Sequence, residues 1–277
     1  MKAKTQNLQL SNYAPLMVLA VLFLIIYAPI FWWMWERWFA RDSYYTHGIL
    51  VPFVSAYLIW HKRELLKKIP LESSPWGVRL IIFGIIIHFF SAMFRIYFTS
   101  GFSMLIVMSG LVLNFYGKRI FKETAFALGF LVFMVPLPMV VVTHISFSLK
   151  LYVAHLAAVV LNNIHIPAIE DGSIIKMRHA YVIVDDVCSG LRSLISLTAL
   201  GSLFAYWMTS SKIKKIILFL TTIPIAVVTN VFRIVLLAVI SEVWGVKYAS
   251  GLLHELSGLS VFALACVLLA SVGKLLE

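Results

Sequence analysis

Apolar runs of about 17 to 25 residues recur from one end of this chain to the other, and no other feature limits its fold as severely. A helix needs about 20 residues to cross roughly 30 Å of hydrocarbon, where no water is present to hydrogen-bond the backbone. Every peptide group must then be bonded within its own segment, which selects helices over open strands. With 61% hydrophobic and 13% charged residues over 277 positions, and a mean hydropathy of +0.95, the composition is far from that of a soluble domain. The expected fold is an all-α polytopic membrane protein, a single integral membrane domain over residues 1–277. Its apolar segments fall at roughly 14–35, 47–60, 77–97, 101–116, 124–142, 188–208, 216–240 and 254–272, about eight transmembrane helices. No small-residue cleavage site follows the first run, so that run is expected to be retained.

A further apolar stretch, 144–163, is interrupted by Lys150, His155, Asn162 and Asn163 and is expected to lie flat in the membrane interface. It opens an extracytoplasmic segment of about 143–187 in which Ile174-Ile175-Lys176-Met177 and Tyr181-Val182-Ile183-Val184 are β-prone runs, so a small outer hairpin is expected. Orientation follows from Lys and Arg, which are retained on the cytoplasmic side. Lys62, Arg63, Lys67, Lys68 and Arg79 follow the second segment, Lys118, Arg119 and Lys122 the fourth, and Lys212, Lys214 and Lys215 the sixth. Both termini are therefore expected in the cytoplasm. The net charge of +11 reflects this topology and anionic lipid headgroups; no basic stripe interleaved with aromatics indicates nucleic acid.

This orientation brings three reactive side chains to the outer leaflet. Cys188 heads the sixth segment, Arg233 lies about 10 Å below the outer end of the seventh, and His254 begins the eighth. A helix N-terminus favours a thiolate, and Arg192, four residues on, would share a helical face with Cys188. A thiolate attacks a carbonyl, a guanidinium with no carboxylate in its own segment and placed in low dielectric suits the oxyanion that forms, and an imidazole can carry the proton to the leaving amine. Asn230, Ser189 and His47 are expected to support the pocket. Cys266, mid-segment, reads as an apolar filler. No spacing of Cys, His or carboxylates fits a metal and no phosphate-binding glycine loop occurs, so no cofactor is expected.

The blocks Cys188-Ser189-Gly190-Leu191-Arg192-Ser193, Asn230-Val231-Phe232-Arg233-Ile234, and His254 followed by Ser257-Gly258 resemble the three signatures of the exosortase and archaeosortase family. Thr46-His47-Gly48-Ile49-Leu50-Val51-Pro52, Phe133-Met134-Val135-Pro136-Leu137-Pro138 and Glu170-Asp171-Gly172-Ser173-Ile174-Ile175 resemble further family blocks, extending the likeness over about residues 42–260. The resemblance implies a membrane cysteine peptidase or transpeptidase acting on exported proteins that end in a recognition motif, a transmembrane helix and a basic tail. It implies Cys188, Arg233 and His254 as catalytic residues, and water, an amine or a lipid-linked group as the acceptor. The competing reading from the residues is a transporter or lipid-headgroup binder using Arg233, Asn230 and Arg192, with Cys188 incidental; no repeated half favours a transporter.

Overall fold

The computed structural model describes residues 2–41, 43–185, 188–249 and 252–277, and side chains from Met17 onward except those of Ala249, Leu252, His254 and Glu255. The helices are α1 (Lys2–Phe39), α2 (Leu50–His61), α3 (Arg63–Leu66), α4 (Pro75–Met93), α5 (Tyr97–Phe115), α6 (Gly117–Phe130), α7 (Met139–Asn163), α8 (Leu191–Trp207), α9 (Lys212–Trp244), α10 (Val246–Ala249) and α11 (Leu252–Leu276). Strands β1 (Ile169–Asp171), β2 (Ile174–Lys176) and β3 (Tyr181–Ile183) separate α7 from α8. The all-α polytopic membrane fold is borne out.

Among the described residues, six segments are long and apolar enough to cross a membrane: Met17–Phe39, Pro75–Met93, Tyr97–Phe115, Met139–Asn163, Lys212–Trp244 and Leu256–Leu276. Their outer surfaces carry large exposed apolar side chains such as Ile25, Phe89, Val228 and Val267, as a lipid-facing surface requires. The expected segments 47–60 and 188–208 become helices of 12 and 17 residues, about 18 and 26 Å long. The expected segment 124–142 is not one helix. α6 ends at Phe130, a 3-10 turn covers Leu131–Met134, and Val135 is extended. Pro136 and Pro138 supply no N–H and bias the residue before each away from helical dihedrals, so a new helix starts only at Met139. That helix takes in the whole 144–163 stretch, and its 25 residues are sufficient to span.

Residues 1–40 and 48–136 form one compact unit, residues 41–47 and 137–277 a second. In the first, α4 and α5 pack closely because small residues let their backbones meet. A Cβ on Gly77 would lie 2.4 Å from the Asn114 nitrogen, and one on Gly110 would lie 2.9 Å from the Gly77 oxygen. Several buried polar groups there are paired: Trp38 Nε1 donates to the Met134 carbonyl at 2.9 Å, Ser55 Oγ to the Ala127 carbonyl at 2.9 Å, and the Tyr27 and Ser103 hydroxyls lie 3.1 Å apart.

In the second unit the strands form one antiparallel sheet, β1-β2-β3, in which Glu170 pairs with Ile175 and Ile175 with Val182. The expected hairpin is present as β2–β3, with β1 added. Ile175 and Val184 are buried against α7 and α9. The β2–β3 turn is tied to α9, since the His179 N–H and ring Nδ1 both meet the Glu242 carboxylate, at 3.0 and 2.9 Å. A separate core joins α8, α9 and α11 through Leu197, Leu218, Ala226, Ala265 and Leu269.

Candidate active site

Chain polarity brings the site together: the sheet leads into the cysteine, and α9 and α11 supply its neighbours. The Cys188 N–H donates to the Asp185 carbonyl at 2.8 Å, and the Cys188 carbonyl accepts from Asn230 Nδ2 at 2.8 Å. Gly190 then takes φ +85, a left-handed conformation that costs other residues energy, and α8 starts at Leu191. Cys188 thus precedes the helix rather than heading it, which corrects the expected helical alignment with Arg192. The Ser189 hydroxyl accepts from the Leu191 N–H at 3.3 Å and from the Ser146 hydroxyl of α7 at 3.0 Å.

Arg233 is 8% exposed. Its Nε donates to Ser257 Oγ of α11 at 3.1 Å, and Gly258 backs the guanidinium so closely that a Cβ there would stand 3.3 Å from Nη2. Asn230 lies one turn before Arg233 on α9, so one helical face both fastens the cysteine carbonyl and presents the cation.

Cys188 is only 4% exposed and belongs to the core of Ala154, Ala157, Ile175 and Ile234. Burial pushes its thiol up from the ordinary value; the Arg233 guanidinium pulls it down, the Asp185 carboxylate pushes it up, and Arg192 adds a smaller downward pull. The net direction is upward. Burial thus opposes the expected thiolate, and the two arginines favour it.

His47 belongs to the same unit. Its Nδ1 is 3.2 Å from Ser196 Oγ of α8 and the Tyr45 ring stacks on it, 6.0 Å between centroids. Among the described residues, His47 Nε2 and Arg192 Nε are both buried without a hydrogen-bond partner, and Arg192 lies one turn before Ser196 on α8. His254 lies in the first turn of α11, and its side chain is outside the described residues. A cavity of about 310 Å³ lies along α9 and α11, lined by Phe232, Leu236, Ile240, Leu256, Ser257 and Leu264.

Sequence reasoning missed four members of this arrangement. Ser257 was legible only as part of a motif, yet it holds the arginine; Gly258 was legible likewise, yet it makes room for the guanidinium. Asp185 and Ser146 carried no signal, because they act through a backbone carbonyl and a hydroxyl brought in by tertiary packing.

Neither a curated protein nor a solved structure gives a significant match to the chain. The family model described as transmembrane exosortase matches residues 32–271, which include every residue of the arrangement above. A match over most of the chain places it: the protein belongs to the transmembrane exosortase family.

Proposed function

We propose that the chain is a membrane cysteine peptidase or transpeptidase that cleaves C-terminal sorting signals of exported proteins at the outer face of a prokaryotic inner membrane, with both termini in the cytoplasm. The observation that carries this reading is the fastening of Cys188 by Asn230 one turn from the buried Arg233 on the same helix. A cation kept in low dielectric is expensive, and functional duty is the usual reason for it.

In the proposed reaction Sγ of Cys188 attacks the scissile carbonyl carbon while His254 takes the thiol proton. The carbonyl π electrons move to oxygen, and Arg233, held through Nε by Ser257, faces the developing oxyanion with its terminal nitrogens. The intermediate collapses, the C–N bond breaks, and the proton passes from His254 to the departing amine. This leaves a thioester on Cys188. Water or an amine-bearing acceptor then attacks the thioester, His254 accepts its proton, and the thiol is regenerated. Burial disfavours the thiolate, so this reading includes a base, and His254 at the start of α11 is the residue assigned to that role.

The test uses cells that co-produce the chain and an exported protein, encoded in the same genome, that ends in an apolar helix and a basic tail. Cys188→Ala and Arg233→Ala are expected to leave the substrate unprocessed while inserting into the membrane at wild-type levels. Normal processing by Cys188→Ala would eliminate the proposal.

A further inference from the structure

One edge of the three-stranded sheet leads straight to Cys188. β3 pairs with β2 on one side only, and among the described residues no strand lies on its other side. The Val184 N–H donates to Ser173 and the Met177 N–H to the Ala180 carbonyl, at 2.8 and 2.9 Å. Val182, Val184 and the Ala180 carbonyl therefore turn toward β2, while the Ala180 N–H meets the Glu242 carboxylate of α9. By the two-residue alternation of a strand, Tyr181 and Ile183 turn theirs outward, two donors and two acceptors. The side chains of Tyr181 and Ile183 are also about half exposed, whereas Ala180 and Val184 face the core.

Such groups cannot lie in hydrocarbon without partners, so this edge sits in water at the membrane boundary, ready to accept another strand. From Ile183 the chain passes through Val184 and Asp185 to Cys188, whose N–H bonds back to Asp185. The opposite edge, β1, is two strand spacings away, roughly 10 Å.

We propose that the β3 edge binds the extended substrate segment just before the scissile bond, through main-chain hydrogen bonds to Tyr181 and Ile183. This rests on the peptidase reading and adds the binding mode to it. On that reading the substrate continues into the bilayer after the cut, so its chain runs from water past Cys188 into lipid. β3 runs in the same direction toward Cys188 and α8, so the added strand is parallel to β3. The recognition is by β-augmentation: the backbone supplies affinity, and alternate side chains supply selectivity.

Ile183→Pro tests it, because the N–H removed is outward-facing and the ladder to β2 is left intact. In proteoliposomes holding the chain and the purified exported protein with its C-terminal helix and basic tail, Ile183→Pro is expected to raise KM about ten-fold with kcat little changed, the factor of one hydrogen bond. Ile183→Ala, which keeps the N–H, is expected within about three-fold of wild type. A photo-crosslinking residue in place of Ile183, in a Cys188→Ala background, is expected to capture the substrate segment before the cut, and one in place of Ile169 on β1 is not. An unchanged KM for Ile183→Pro, or capture from position 169 and not 183, overturns the edge while leaving the peptidase reading intact if Cys188→Ala is inactive. Processing that survives Cys188→Ala removes both. Should Ile183→Pro fail to insert, the crosslinking pair decides alone.

Discussion

Replacing Gly190 by alanine perturbs the site through two separable effects whose sizes follow from the geometry. Gly190 sits at φ +85, and forcing an L-residue into that conformation costs about 1–2 kcal/mol. The added Cβ would lie 2.9 Å from both Cγ and Nδ2 of Asn230, closer than carbon atoms tolerate, so the amide must move. That amide holds the Cys188 carbonyl, and a buried carbonyl left without a donor costs about 1–3 kcal/mol. Gly190→Ala is therefore expected to lose roughly 2–5 kcal/mol of stability. The shared part is isolated with Asn230→Ala, which already releases the carbonyl: Gly190→Ala in that background retains the backbone strain but has no hydrogen bond left to break. In reversible unfolding in detergent micelles, followed by tryptophan fluorescence, the double variant is expected to fall short of the sum of the singles by at least about 1 kcal/mol. Additivity within about 0.5 kcal/mol would refute the claim that Gly190 is required because Asn230 must reach the cysteine.

Removing a nearby positive charge disfavours a thiolate, so Arg233→Ala should move the pH at which iodoacetamide alkylates Cys188 half-maximally upward, and Arg192→Ala by a smaller amount; a larger shift from Arg192 would contradict the order of the two influences. Ser257→Ala removes the acceptor of Arg233 Nε, and kcat for substrate processing should fall about ten-fold with KM nearly constant, whereas a change confined to KM would place Ser257 in binding. In the first unit, Gly117 has φ +84 and a Cβ there would come within 2.1 Å of the Glu72 carbonyl oxygen, so Gly117→Ala should sharply reduce the yield of folded protein in detergent extracts; wild-type yield would disprove the constraint.

The parts of the molecule that obey a simple solvent rule were legible in the sequence. Segments near residues 77–97, 101–116 and 254–272 appear as α4, α5 and α11 because hydrophobicity and length decide them together. The 124–142 segment failed because hydropathy is blind to Pro136 and Pro138, whose effect is on dihedral angles. In the site, Cys188, Asn230 and Arg233 stood out because polar groups in apolar surroundings are costly. The surroundings of the cysteine did not, because its burial comes from tertiary packing and a left-handed glycine moves the start of α8 from Cys188 to Leu191.

That displacement gives the polar residues of the site a second duty. A buried cysteine in a non-helical segment beside apolar helices leaves backbone groups that no helix ladder can bond, and each must find a partner. Here the Cys188 carbonyl takes the Asn230 amide, the Cys188 N–H takes the Asp185 carbonyl, and the Leu191 N–H takes the Ser189 hydroxyl, itself bonded to Ser146. Asn230 and Ser189 therefore bond the backbone of this segment. Loss of activity on their replacement reports a displaced sulfur, and it should be accompanied by loss of stability. Cys188 and Arg233 differ in this respect. Cys188→Ala should remove processing while costing about as much stability as the lost burial of one small side chain. The ratio of activity lost to stability lost, measured residue by residue, thus separates the groups that do chemistry from those that hold the segment in place.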